Sequence, residues 1–144
     1  MRILAQTACT FSFLTLITAT VAAEVEFLSS PAGVHSSLSR ITVDASSTLH
    51  LSWVETSGDQ ASLYRAEFSA EKWSPSQLLQ SGDNWFVNWA DFPALAVNDG
   101  SMTAHWLQKS SPDTYSYDIN AIFYDKTADK WSSPVTIHKD GVSA

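Results

Sequence analysis

An internal repeat constrains this 144-residue chain more than any other feature. Runs that alternate large and small side chains lead to Trp53 (LHLSWV, 49–54) and to Trp106 (MTAHWL, 102–107). Trp73 and Trp131 each open a Trp-Ser motif that reaches a proline one or two residues later. Alternation with a period of two is the pattern of a half-buried strand, because successive side chains leave a strand on opposite faces. No long apolar stripe with a period of 3.6 competes with it, so the sequence predicts an all-β protein.

The two units share one grammar. The first predicts short strands at 41–43, 49–54 and 63–68 and a fourth after Trp73, with a polar turn at 44–48 and breaks at Gly58-Asp59 and 69–72. The second repeats that order at 93–97, 102–107, 118–124 and 131–137, with the turn signal Asn98-Asp99-Gly100. A four-stranded unit recurring at this spacing is the signature of propeller blades. The expected organisation is a signal peptide at 1–23, an entry segment at 24–37, a blade at 38–81, an inter-blade linker at 82–92, a second blade at 93–141 and a tail at 142–144. Closed propellers use about four to eight blades. The chain is therefore expected to be part of a longer protein or, if complete, to close a ring as a homo-oligomer.

Arg2, the mostly apolar run at 3–19 and the small residues at 21–23 read as a secretory signal, which implies an exported protein, periplasmic or extracellular, with no permanent membrane anchor. The single cysteine, Cys9, lies inside that signal and is preceded by a poor lipobox, so the exported chain would carry no disulfide. The net charge is −7 and only Arg40, Arg65 and five lysines remain beyond the signal, which argues against a nucleic-acid partner, since phosphate binding needs a basic stripe.

The linker DNWFVNWADFP (83–93), the following AHWLQKS (104–110) and TYSYD (114–118) resemble secreted bacterial sialidase-like proteins of the six-bladed propeller superfamily. The turn motif of that family, Ser-x-Asp-x-Gly-x-x-Trp, is eroded here: 69–73 keeps the Trp and a displaced acid, and 125–131 keeps an Asp and the Trp. The resemblance implies a parent protein that binds or hydrolyses sialylated or related acidic glycans. Family sialidases use three arginines for the substrate carboxylate, a tyrosine–glutamate nucleophile and an aspartate acid/base, the tyrosine being an exception among glycosidases. Two arginines do not complete that set, no catalytic residue carries over by motif, and the chain alone is expected to be inactive as an exo-α-sialidase-like hydrolase. The alternative is a non-catalytic lectin or a scaffold propeller.

In a four-stranded meander, the inter-blade linker and the turns between second and third strands emerge at one end. That brings together Trp85, Asn88, Trp89, Asp91, Lys109, Tyr115, Tyr117 and Asp118 as candidate glycan-binding residues. Aromatic faces stack on sugars, and Asn or Asp bonds hydroxyls. Two roles stay open for Trp85 and Trp89, sugar contact or blade packing, whereas Trp53, Trp73, Trp106 and Trp131 read as core. Asp91 equally suits a bond to the linker's own backbone. His50 and His105 stand beside the repeat tryptophans and read as packing, and no spacing of His or acidic residues suggests a metal or a cofactor.

Overall fold

A computed structural model describes residues 24–141; the expected signal at 1–23 and tail at 142–144 lie outside the described residues. The described chain is all-β and antiparallel. Its strands are β1 (Ser36–Val43), β2 (Leu49–Ser57), β3 (Gln60–Ser69), β4 (Lys72–Trp73), β5 (Gln77–Asp83), β6 (Trp85–Phe86), β7 (Ala94–Asn98), β8 (Ser101–Lys109), β9 (Tyr117–Asp125), β10 (Lys130–Trp131) and β11 (Val135–His138). They form two sheets, one per sequence unit. In the first, β1, β2 and β3 run as a meander and β4 and β5 together line the far side of β3; in the second, β6 and β7 line one side of β8, and β10 and β11 line the far side of β9.

Two differences from the expected strands have local causes. β1 starts at Ser36, inside the stretch read as entry segment, because backbone pairing with β2 extends past the β-rich run at 41–43. The fourth strand of each sheet is split by its Trp-Ser motif. Ser74 N–H donates to Glu67 O at 2.7 Å while Ser74 Oγ accepts from Glu67 N–H at 3.0 Å. Ser132 repeats this with Phe123, at 2.8 Å and 3.0 Å. The serine hydroxyl thus satisfies a backbone donor where the following proline cannot extend the ladder, which explains why Trp-Ser recurs before proline.

Register aligns the units residue by residue. Trp53 lies opposite Tyr64 and Trp106 opposite Asn120; Phe68 lies opposite Trp73 and Tyr124 opposite Trp131. Each fourth strand carries a bulge at the same place, between Leu78 and Gln80 in the first sheet and between Thr136 and His138 in the second. The turn at 98–101 matches its sequence signal: Asp99 and Gly100 both take left-handed φ, 47° and 80°, as a two-residue hairpin turn requires.

The core lies between the sheets. Val54, Ala61, Leu63 and Leu79 of the first sheet pack with Leu95, Met102, Ala104, Trp106 and Ile122 of the second. A smaller cluster of Leu51, Trp53 and Ala66 sits on the other face of the first sheet, with Ala32 and Trp73 against it. Trp53 therefore points away from the second sheet, whereas its counterpart Trp106 points toward the first. Equivalent faces look the same way, so the sheets stack head to tail, the Trp-bearing face of the second on the opposite face of the first.

The linker is anchored into this junction by Trp85, which stacks on Trp106 with ring centroids 5.4 Å apart and 23° between planes. Room for it comes from Gly82, where a Cβ would lie 2.7 Å from the indole nitrogen of Trp85. Gly82→Ala is expected to destabilise the fold by about 1–3 kcal/mol through overpacking. Urea unfolding measures this, and an unchanged midpoint would show that Trp85 is not seated on Gly82.

Candidate functional site

The linker enters the second sheet through backbone contacts. Asn84, at φ 57°, accepts at its carbonyl from Lys109 N–H at 2.9 Å. Gln108 Nε2 donates to the carbonyls of Asp83 and Asn84 at 3.1 and 3.3 Å. Beyond the short pairing of β6, the chain turns at Asn88. Asn88 Oδ1 accepts from the backbone N–H of Ala90 and of Asp91, each at 2.7 Å, and Asn88 N–H donates to Asp91 O at 2.9 Å. An asparagine bonded to amides two and three residues on is a self-contained turn, and Trp89 stands at its tip, 87% exposed.

A second aromatic group flanks it. Phe86 stacks on Tyr117 at 5.0 Å and meets Tyr115 edge-on at 6.0 Å, leaving Tyr115 78% exposed. Two crevices open at this end. One, of about 390 Å³, is lined by Asn84, Lys109 and 110–112; the other, of about 270 Å³, by 58–61, Thr56, Asn84, Trp85, Val87 and Lys109. The linker and the turns 56–61 and 110–117 thus meet at one end of the sheets, with Lys109 shared by both crevices.

The structure sorts the sequence-derived candidates. Trp85 is buried in the junction and gives only an edge to the smaller crevice. Asn88 and Asp91 brace the linker turn, with Asn88 Nδ2 also 3.4 Å from Asp91 Oδ2. Asp118 Oδ1 accepts from Asp140 N–H at 3.1 Å and ties the chain's last described residues to β9. Tyr117 supports Tyr115 through Phe86. Trp89 and Tyr115 are largely exposed and Lys109 lines both crevices, while Asp91, also exposed, is engaged in the linker turn.

Sequence reasoning missed a polar cluster at the opposite end. His50, buried on β2, has Nε2 at 3.1 Å from Asp44 Oδ2, and its Nδ1 lies 3.7 Å from Glu67 Oε1 without a hydrogen-bond partner. Arg65 Nη1 donates to Glu67 Oε1 at 2.6 Å and Arg65 Nε to Gln77 Oε1 at 2.7 Å. Asp44, His50, Arg65, Glu67 and Lys126 line a cavity of about 200 Å³ between the sheets. The alternation of strand faces was the available signal, since His50 and Arg65 share the face of Val54 and Leu63. Arg65 is committed to Glu67 and Gln77, so it is not free for a ligand carboxylate. On β8, burial first, and then the nearby Arg40 charge, push the imidazole of His105 below its usual range. Among the described residues no group of three His, Cys, Asp or Glu side chains is placed to hold a metal ion.

Asp44 organises its own turn. Its Oδ1 accepts from Ser46 Oγ at 2.7 Å and from the backbone N–H groups of Ser46 and Thr48, each at 2.9 Å. The Ser46 hydroxyl, then His50, then the Thr48 amide hold its carboxyl well below the usual carboxylate range. A depressed folded pKa makes the contribution to stability complete above the unfolded value of 3.8 and lost as pH falls below it. Asp44→Asn is expected to lower stability at neutral pH and to flatten the loss of stability below about pH 4. Denaturant titrations across acid pH measure both effects; an unaltered acid slope would remove Asp44 from this role.

No protein-family model, no curated protein and no solved structure matches this chain.

Proposed function

We propose that the two sheets are successive blades of an exported sialidase-like propeller, and that their loop end binds an acidic, sialylated glycan. The observation that carries the binding reading is that exposed Trp89 and Tyr115 stand on the same loop end as two open crevices that share Lys109. The exposed rings offer flat apolar surfaces for a sugar ring, and the Lys109 ammonium supplies the opposite charge for a carboxylate. The head-to-tail stacking, a face of one kind on a face of the other, supports the blade reading, because a sandwich pairs two inner faces and leaves two equivalent outer ones.

Hydrolysis by this chain alone is not part of the proposal. Carboxylate capture by guanidinium groups draws its strength from bidentate geometry, and Arg65 already directs Nε to Gln77 and Nη1 to Glu67. This occupancy also favours the reading as a non-catalytic lectin over an incomplete enzyme.

A glycan array probed with the purified chain is expected to give hits among sialylated structures, and a fluorogenic sialoside no turnover. Trp89→Ala and Tyr115→Ala are each expected to weaken binding about tenfold, equivalent to about 1.4 kcal/mol. Lys109→Ala is expected to weaken acidic glycans more than neutral ones. An array without hits would sink the binding reading, and robust hydrolysis would sink the non-catalytic one.

A further inference from the structure

The junction between the two sheets shows what covers each type of face. In the second sheet the Trp-bearing face is covered, and Leu95 on its β7 strand is 2% exposed. Its counterpart by register in the first sheet is Ile41, which faces Leu51 as Leu95 faces Ala104. Ile41 is 63% exposed. On the opposite kind of face, Leu79 of the first sheet is buried in the junction at 8%, while Ile137, at the same bulge position of the second sheet, is 55% exposed. The outer face of the second sheet is therefore uncovered, and the Trp-bearing face of the first is open along Ile41 and Val43, while its centre of Leu51, Trp53 and Ala66 is covered by the chain's own Ala32.

We infer that these two surfaces bind each other between copies: the Ile137-bearing face of one chain takes the Ile41-bearing face of a second. The chemistry fits on both sides. Phe123 and Val135 extend the apolar patch around Ile137, and Val43 extends the one around Ile41, with Leu78 exposed at the far edge of the same face. A face of one kind on a face of the other is a heterologous contact, which propagates until rotation closes a ring. The partner is a second copy because the chain's own junction pairs a face of each of these two kinds.

The entry segment lies across the acceptor face: residues 28–31 line a cavity of about 480 Å³ with Phe68 and Trp73, Ala32 packs on Leu51, Trp53 and Ala66, and Gly33 N–H donates to Glu55 Oε1 at 3.2 Å. Phe68 and Trp73 correspond to Tyr124 and Trp131, which pack against the junction core. The docked copy takes the place of this segment, whose neighbours Val25 and Phe27 are largely exposed. This contact rests on the observed junction and not on glycan binding, so the two proposals fail separately.

Complementary variants test it. Ile41→Asp spoils one surface and Ile137→Asp the other, both at exposed positions; Val43→Asp and Phe123→Asp form a second pair should either of the first lose its β circular-dichroism spectrum. Sedimentation of the wild-type chain is expected to show mass rising with concentration in multiples of the monomer. Each variant alone is expected to stay monomeric, and an equimolar mixture of the two to form a species of two chains and nothing larger, because only one intact pair of surfaces remains. A monomeric wild type, a single variant that self-associates like wild type, or a mixture that stays monomeric would each overturn the inference.

Discussion

The structure depends on one packing arrangement, the Trp106 face of the second sheet lying on the Leu63 face of the first. Trp106, Trp85 and Ile122 fill this junction against Val54, Leu63 and Leu79, with Gly82 leaving the space that the Trp85 indole occupies. Full burial of each large apolar side chain is worth about 1.5–3 kcal/mol, so a junction of this composition is a principal source of stability for a chain without a disulfide among its described residues. It also sets the direction of the molecule. Because like faces look the same way, the two ends of the stack are chemically different, and neither repeats the other by a two-fold.

The two ends of the strands divide the remaining work. At the turn end, Asp44, His50, Glu67 and Arg65 form a charge network beside the junction, where each carboxylate has a cationic or hydroxyl partner. Polar groups taken from water cost little only when hydrogen-bonded, and the buried His50 meets that condition at Nε2 but not at Nδ1. At the loop end the groups are exposed and adaptable. A rigid sheet stack that positions exposed loop aromatics is a common arrangement for recognition, since loops carry binding groups and the scaffold keeps them apart.

Much of the fold was legible in the sequence. The alternation around Trp53 and Trp106, the Asp99-Gly100 turn and the four-strand order all correspond to observed elements, because strand alternation and left-handed turn residues are local properties. The polar network was not legible. His50, Asp44 and Glu67 are brought together by pairing between β2 and β3 and by a turn whose shape depends on Asp44 itself, and no motif announces that register. Among the candidate site residues, Trp85 and Trp89 looked alike: both are tryptophans in one linker, four residues apart.

The sequence by itself determined that this chain is antiparallel β in two matching units, with a hairpin turn at Asp99-Gly100, where both residues allow left-handed backbone. Only the tertiary structure decided which face of each sheet is inside. Alternation says that two faces differ, but burial is a property of what a neighbouring sheet covers, and that neighbour comes from a distant part of the chain. The same reason separates the linker tryptophans. Trp85 is drawn into the junction by the gap over Gly82 and the face of Trp106, while the Asn88 turn lifts Trp89 clear of any surface that could bury it.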